Sequence, residues 1–172
     1  AFQQLDLDGK GNGQMHLDLS LPLADISATR VKAEYATRQA ALMLPDGTWI
    51  TSLSGNMNFT EKSIASKKLT GQMLGGPISV EVQTITEGQP PVVSLAVSGT
   101  AHASHLGPLL GDWMAKELHG ESSWTGEVRF DSDIVSLSAR SDLSGMSSTF
   151  PYPLSKEASE KQPLALDASF LS

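Results

Sequence analysis

Apolar residues recur at every second position in one stretch of the chain after another. Met15, Leu17, Leu19 and Leu21 form one such run, Val31, Ala33 and Tyr35 a second, Ile78, Val80 and Val82 a third, and Val93, Leu95 and Val97 a fourth. Val128, Phe130, Ile134 and Leu137 follow, and the alternation resumes at Leu164, Leu166, Ala168 and Phe170. Side chains on a β-strand point to opposite faces in turn, so each run predicts a strand with one apolar and one polar face. Turn signals fall between the runs, at Asp8-Gly9, Asn12-Gly13, Asp46-Gly47, Gly75-Gly76-Pro77 and Glu87-Gly88-Gln89-Pro90-Pro91. Short turns between alternating runs predict an all-β fold, a curved antiparallel meander.

Leu-x-Gly recurs at 53–55, 69–71, 118–120 and 143–145, at unequal spacings that exclude a solenoid repeat of fixed period. Glycine in or beside a strand marks either a bulge, as a curved sheet requires, or an ordinary turn. One segment departs from the β pattern. Over 108–118, Leu109, Leu110, Trp113, Met114 and Leu118 follow helical spacing, Pro108 suits a first turn, and Gly120 suits the position past the end. This predicts one short helix, whose apolar stripe packs on the sheet, plugs the end of a groove or covers a sheet edge. The alternation itself fits two architectures, an open groove or a β-sandwich, which differ in whether the apolar face has a partner sheet.

With 172 residues, the chain can bury roughly 70% of its unfolded surface and needs no staples to fold. It has no cysteine, which excludes disulfides and thiolate zinc sites. The net charge of -7, with 12 scattered basic residues, argues against a nucleic-acid partner and against holding anionic headgroups by charge. Any bound lipid must therefore be held by its acyl chains. The chain starts at Ala1 and has no apolar run near the ~18 residues of a membrane span and no signal-peptide pattern. It is expected to be a single segment, 1–172, of a larger protein whose anchor and targeting signal lie outside it.

Candidate chemistry is sparse. His102, His105 and His119 lack a carboxylate at ligand spacing, and His102 and His105 stand three apart on a predicted strand, so they face opposite ways. No metal and no cofactor are expected. Gly9-Lys10-Gly11-Asn12-Gly13 lacks the Gly-Lys-Ser/Thr ending and following helix of a phosphate loop and is expected to be a flexible turn. No serine stands in Gly-x-Ser-x-Gly, and Asp131, Asp133 and Asp142 read as solvated turn residues. The chain is not expected to be an enzyme.

The stretch with the most specific order of parts runs through Ser141-Asp142-Leu143-Ser144-Gly145, then Pro151-Tyr152-Pro153-Leu154-Ser155-Lys156, then a polar spacer and Pro163-Leu164-Ala165-Leu166. It resembles a passage of the AsmA-like proteins in their YhdP branch, the large periplasmic β-groove proteins of Gram-negative bacteria. Tyr152 stands where that family more often has a smaller residue. Leu17-Asp18-Leu19-Ser20-Leu21-Pro22-Leu23, Leu53-Ser54-Gly55-Asn56-Met57-Asn58-Phe59 and Gln72-Met73-Leu74-Gly75-Gly76-Pro77 are similar to shorter family segments.

The resemblance implies transport of phospholipid between the inner and outer membranes. It places the chain in the periplasm, within a parent protein anchored in the inner membrane and touching membranes through parts outside this segment. It carries over no catalytic residues. On this reading the ligand is phospholipid or another acyl-chain lipid. The expected groove lining is Met15, Leu17, Leu19, Val31, Val80, Val82, Leu95, Val97, Trp113, Trp124, Phe130, Leu137 and Leu166. At about 0.8 kcal/mol per buried CH2, a chain of ~16 carbons gains roughly 13 kcal/mol on leaving water, enough to hold lipid without a headgroup site. The alternative is a non-catalytic structural or interaction β-sandwich module of the envelope, in which the same residues form a dry core.

Overall fold

The computed structural model describes residues 9–20, 30–43, 48–86, 91–131 and 134–171. The turn signals at 8, 46–47 and 87–90, the residues 21–23 and Asp133 lie outside them. The described residues form one open antiparallel sheet: the alternation predicts the antiparallel meander, and the pairing decides for a single sheet. Its strands are β1 (Gly9–Ser20), β2 (Arg30–Met43), β3 (Trp49–Thr60), β4 (Ile64–Met73), β5 (Gly76–Ile85), β6 (Val92–His102), β7 (Leu118–Phe130), β8 (Ile134–Ser141), β9 (Met146–Ser148) and β10 (Leu164–Leu171). They run side by side in chain order from β1 to β8, β10 follows β8, and β9 pairs with the start of β7.

The register puts the apolar residues of neighbouring strands opposite one another. Leu17 faces Ala33, Val80 faces Val97, Leu95 faces Val128, Val128 faces Leu137, and Leu137 faces Ala168. The alternation does not run unbroken through β2, β3 and β4. In β2 it passes from Tyr35 to Ala40, in β3 from Ile50 to Leu53, and in β4 from Ile64 to Leu69, each time changing between odd and even positions. The pairing slips by one residue at these places, between Thr37 and Ala40, between Thr51 and Ser54, and between Ser66 and Leu69. A single inserted residue reverses which face the rest of a strand presents, so each bulge returns the apolar residues to the same side.

Gln39 and Ser52, the inserted residues of β2 and β3, both adopt the left-handed backbone at φ 55°. The Ser54 hydroxyl joins these bulges, accepting from the Gln39 amide at 3.1 Å and donating to the Ser52 carbonyl at 3.2 Å. The Asn12-Gly13 signal and the expected flexible turn over Gly9–Gly13 are corrected, since all of it lies in β1. Its glycines serve close approach instead of turning the chain, because a Cβ on Gly13 would come within 2.2 Å of the Tyr35 hydroxyl. At the tight β4–β5 hairpin, Leu74 and Gly75 take φ of 54° and 77°, the pair of positive values that a two-residue turn favours.

The helical segment falls where its spacing places it, but in two short pieces. A 3-10 turn (Ala103–His105) leads to α1 (Gly107–Leu110) and α2 (Asp112–Ala115), separated by Gly111 at φ 86°, ψ 145°, a conformation no helix continues through. Neither piece is long enough to be stable without tertiary support. Leu118 opens β7 instead of closing a helix, and Gly120 lies within that strand at φ 88°. Gly120 and Gly145 share one tight crossing, where a Cβ on Gly120 would sit 2.2 Å from the Gly145 carbonyl oxygen.

Between β8 and β10 the chain leaves the sheet over 142–163, adds β9 to β7 and returns. Asp142 closes this excursion by an ion pair with Lys161 at 3.0 Å and by accepting the Ser144 amide at 3.0 Å. The Lys161 ammonium, and then the Ser144 amide, hold the Asp142 carboxyl below its ordinary range.

Two outcomes follow from these local structures. Ser52→Val should cost about 1–3 kcal/mol, because a branched side chain is strained in the left-handed region, whereas Ser52→Gly should be neutral or slightly stabilising; denaturant titration checks both. A carboxyl with a lowered pKa stabilises fully above its ordinary pKa, and that contribution disappears as the pH falls through the lowered value. Amides over 142–162 should therefore exchange faster, after correction for intrinsic rates, in acid below the ordinary carboxylate range. Asp142→Asn should show the faster exchange already at neutral pH.

Candidate functional site

One face of the sheet carries the candidate site. Its centre is a cluster of Leu69, Ile78, Val80 and Val82, with Ile78 only 4% and Val80 only 7% exposed. The side chains packed against it, among them Leu53, Met57, Leu95, Val97 and Trp124, all belong to β3, β4, β6 and β7 of the same sheet. The bulges in β2, β3 and β4 bend the strands that carry them beside this cluster. Toward both edges the face opens. Leu17 on β1 is 56% exposed and Leu166 on β10 is 53% exposed, with Met15, Leu19, Leu164 and Phe170 similarly bare. The apolar surface therefore runs across the whole sheet, closed at the middle and open at the outer strands.

The structure brings together on this face Met15, Leu17 and Leu19 of β1, Val31 of β2, Val80 and Val82 of β5, Leu95 and Val97 of β6, Trp124 and Phe130 of β7, Leu137 of β8 and Leu166 of β10. Trp113 does not join them. It lies on α2, 66% exposed, with its ring edge-to-face on Phe150 at 6.2 Å, and with Leu109 and Leu110 also exposed beside it. The helical stripe thus sits at one rim of the sheet, where β6 ends and β7 begins, apart from the central cluster. Trp49 pairs with Met43 and points away from the face that its neighbour Ile50 shares with Leu42.

Sequence reasoning missed the contributions of β3 and β4 to this face. Ile50, Leu53, Met57, Ile64 and Met73 pack on its core, but the bulges break their alternation into short pieces. The change from odd to even apolar positions was the available signal. Among the described residues, the Thr37 hydroxyl and the Trp124 indole nitrogen are buried without a hydrogen-bond partner. The face otherwise offers dispersion and hydrophobic contact.

The opposite face is polar. Ser94 donates to Glu127 at 2.8 Å, and Arg140 forks onto both carboxylate oxygens of Asp167 at 2.8 and 2.9 Å. His102 lies 3.2 Å from Glu121 and edge-on to His105. Among the described residues no three His, Asp or Glu side chains gather as metal ligands would, and no helix is long and apolar enough to cross a membrane.

Comparison with known proteins gives two findings. A family model described as YhdP protein matches residues 1–172. The chain is 29% identical over 173 residues to a protein of Escherichia coli (strain K12) described as "Intermembrane phospholipid transporter YhdP". The match covers 97% of this chain and 13% of that protein, so the chain spans a small part of the relative's length. No solved structure matches significantly.

The gradient of burial along the face predicts unequal responses to charge. Val80→Asp places a carboxylate among apolar neighbours and should destabilise the protein by at least about 3 kcal/mol. Leu17→Asp and Leu166→Asp leave the charge in water and should cost under about 1 kcal/mol, as urea unfolding of the purified variants would show.

Proposed function

This chain belongs to the YhdP family, and on that premise we propose that it is one segment of a larger envelope protein that holds phospholipid by its acyl chains and conducts it between the inner and outer membranes. The observation that carries this reading is the apolar face itself, continuous across the sheet from β1 to β10. Such a surface removes CH2 groups from water wherever the chain lies, so lipid is held without a fixed headgroup site and meets similar wells along the way. The polar reverse face, with its ion pairs, stays in solvent. The net charge of -7 gives no attraction for anionic headgroups, which leaves the acyl chains to supply the binding free energy.

In this role the chain is non-catalytic and works in the periplasm. Its parent is anchored in the inner membrane, touches membranes through parts outside this segment, and has no nucleic-acid partner. The sandwich alternative lacks support among the described residues, because the buried cluster is packed by its own sheet alone.

The test uses the edge substitutions that preserve the fold. In the full-length protein, Leu17→Asp and Leu166→Asp each interrupt the apolar path with a carboxylate that stays hydrated. Even about 1.4 kcal/mol added to a transfer step slows it about tenfold. Phospholipid transfer should therefore fall tenfold or more, and solvent extraction with mass spectrometry should recover less co-purified phospholipid. Unchanged transfer by both folded variants would refute the conduit.

A further inference from the structure

We propose that Lys156 is a positioning residue that sets the register of β10 against β8 and so aligns β10 with the apolar face. The need for such a residue comes from the sequence of β10. Leu164, Leu166, Ala168 and Phe170 alternate, and Leu166 stands opposite Ala139. Sliding β10 by two residues would keep every one of these side chains on the apolar face, so hydrophobic patterning does not choose between the two registers. A tight hairpin would choose by its turn geometry, but β8 and β10 are joined by the long excursion over 142–163. The fork from Arg140 to Asp167 favours the observed register, yet both side chains are half or more exposed, and pairs of that kind contribute about 0–1 kcal/mol.

Lys156 is the one charged residue buried among the described residues, at 8% exposure. Its ammonium donates to the carbonyls of Leu143 at 2.8 Å, Met146 at 2.7 Å and Glu157 at 3.0 Å. These three acceptors use all three of its donors, and among the described residues no carboxylate forms an ion pair with it. The carbonyls belong to the two ends of the excursion, so the ammonium ties the chain leaving β8 to the chain returning toward β10. Backbone bonds pass the constraint on. Ser148 donates to the Lys156 carbonyl at 2.9 Å, Gly145 to Ala158 at 2.8 Å, and Gln162 to Asp142 at 2.8 Å, two residues before Leu164 opens β10. This role is independent of what the apolar face binds.

Register can be read by disulfide trapping in the full-length protein. With Lys156 present, cysteines at Ala139 and Leu166 should cross-link, and cysteines at Leu137 and Leu166 should not. Lys156→Met should reduce the first cross-link at least fivefold and make the second appear, and amide exchange over 143–171 should quicken at least tenfold while β5 and β6 stay protected. Arg140→Ala should leave both cross-links as they were. An unchanged Ala139–Leu166 cross-link in Lys156→Met would overturn the proposal. So would loss of protection through β5 and β6 in both Lys156→Met and the milder Lys156→Gln, since that marks a general stabilising role.

Discussion

Everything in this structure depends on keeping apolar side chains on one face of a single sheet. Nine strands from β1 to β8 and β10 share that face, and the side chains packed on its core come from the sheet itself. A strand offers only two directions, and one misplaced residue would send the rest of its apolar set to the polar side. The bulges at Gln39, at Ser52 and between Ser66 and Leu69 absorb each such break in the sequence. They also bend the strands that carry them. Continuity of the face and curvature of the sheet thus have a common local origin, with Ser54 bonding the first two bulges together.

Place in the strand order then decides how much of the face neighbouring side chains cover. At the centre, Leu69, Ile78, Val80 and Val82 are closed over by neighbours and act as the hydrophobic core. At β1 and β10 the same kind of side chain stays bare. A two-layer protein separates its core from its binding surface, whereas here one surface grades from the first into the second. The proposed handling of acyl chains rests on the continuity of this face across the sheet, since apolar area set side by side offers an acyl chain similar contacts from strand to strand.

The helical turns and the long excursion after β8 gather along one rim. The helical turns over 103–115 meet the excursion over 142–163 through Trp113 on Phe150 and through Thr149, whose amide donates to the Glu117 carbonyl at 2.9 Å. Gly120 and Gly145 permit the close crossing beneath them, and Lys156 closes the excursion on itself. In the segment that resembles the family pattern, Ser141-Asp142-Leu143-Ser144-Gly145 and the lysine that ends Pro151-Tyr152-Pro153-Leu154-Ser155-Lys156 therefore have a shared physical reason: they are the two ends of one clasp.

Period-two alternation by itself determined the strands of β1, β5, β6 and β10, the first part of β2 and the end of β7, with their apolar faces, because side-chain direction along a strand is a local property. The placement of Val80, Leu95 and Leu166 on one surface was legible for the same reason, whereas Trp124 stands in no alternating run and was placed by the pairing of β7 with β6. Tertiary structure decided the rest. Whether the apolar face met a second sheet depended on which strands pair, and among the described residues all ten strands lie in one sheet, kept in phase by bulges that no alternation reveals. Asn12-Gly13 looked like a turn but lies in a strand, because the Tyr35 ring on the neighbouring strand needs the space above Gly13. The helical spacing over 108–118 was real, yet Gly111 and the rim contact with Phe150 divided it, left Trp113 off the sheet face and gave Leu118 to β7. Local pattern fixes which way a side chain points; what it meets there depends on strands brought together from far along the chain.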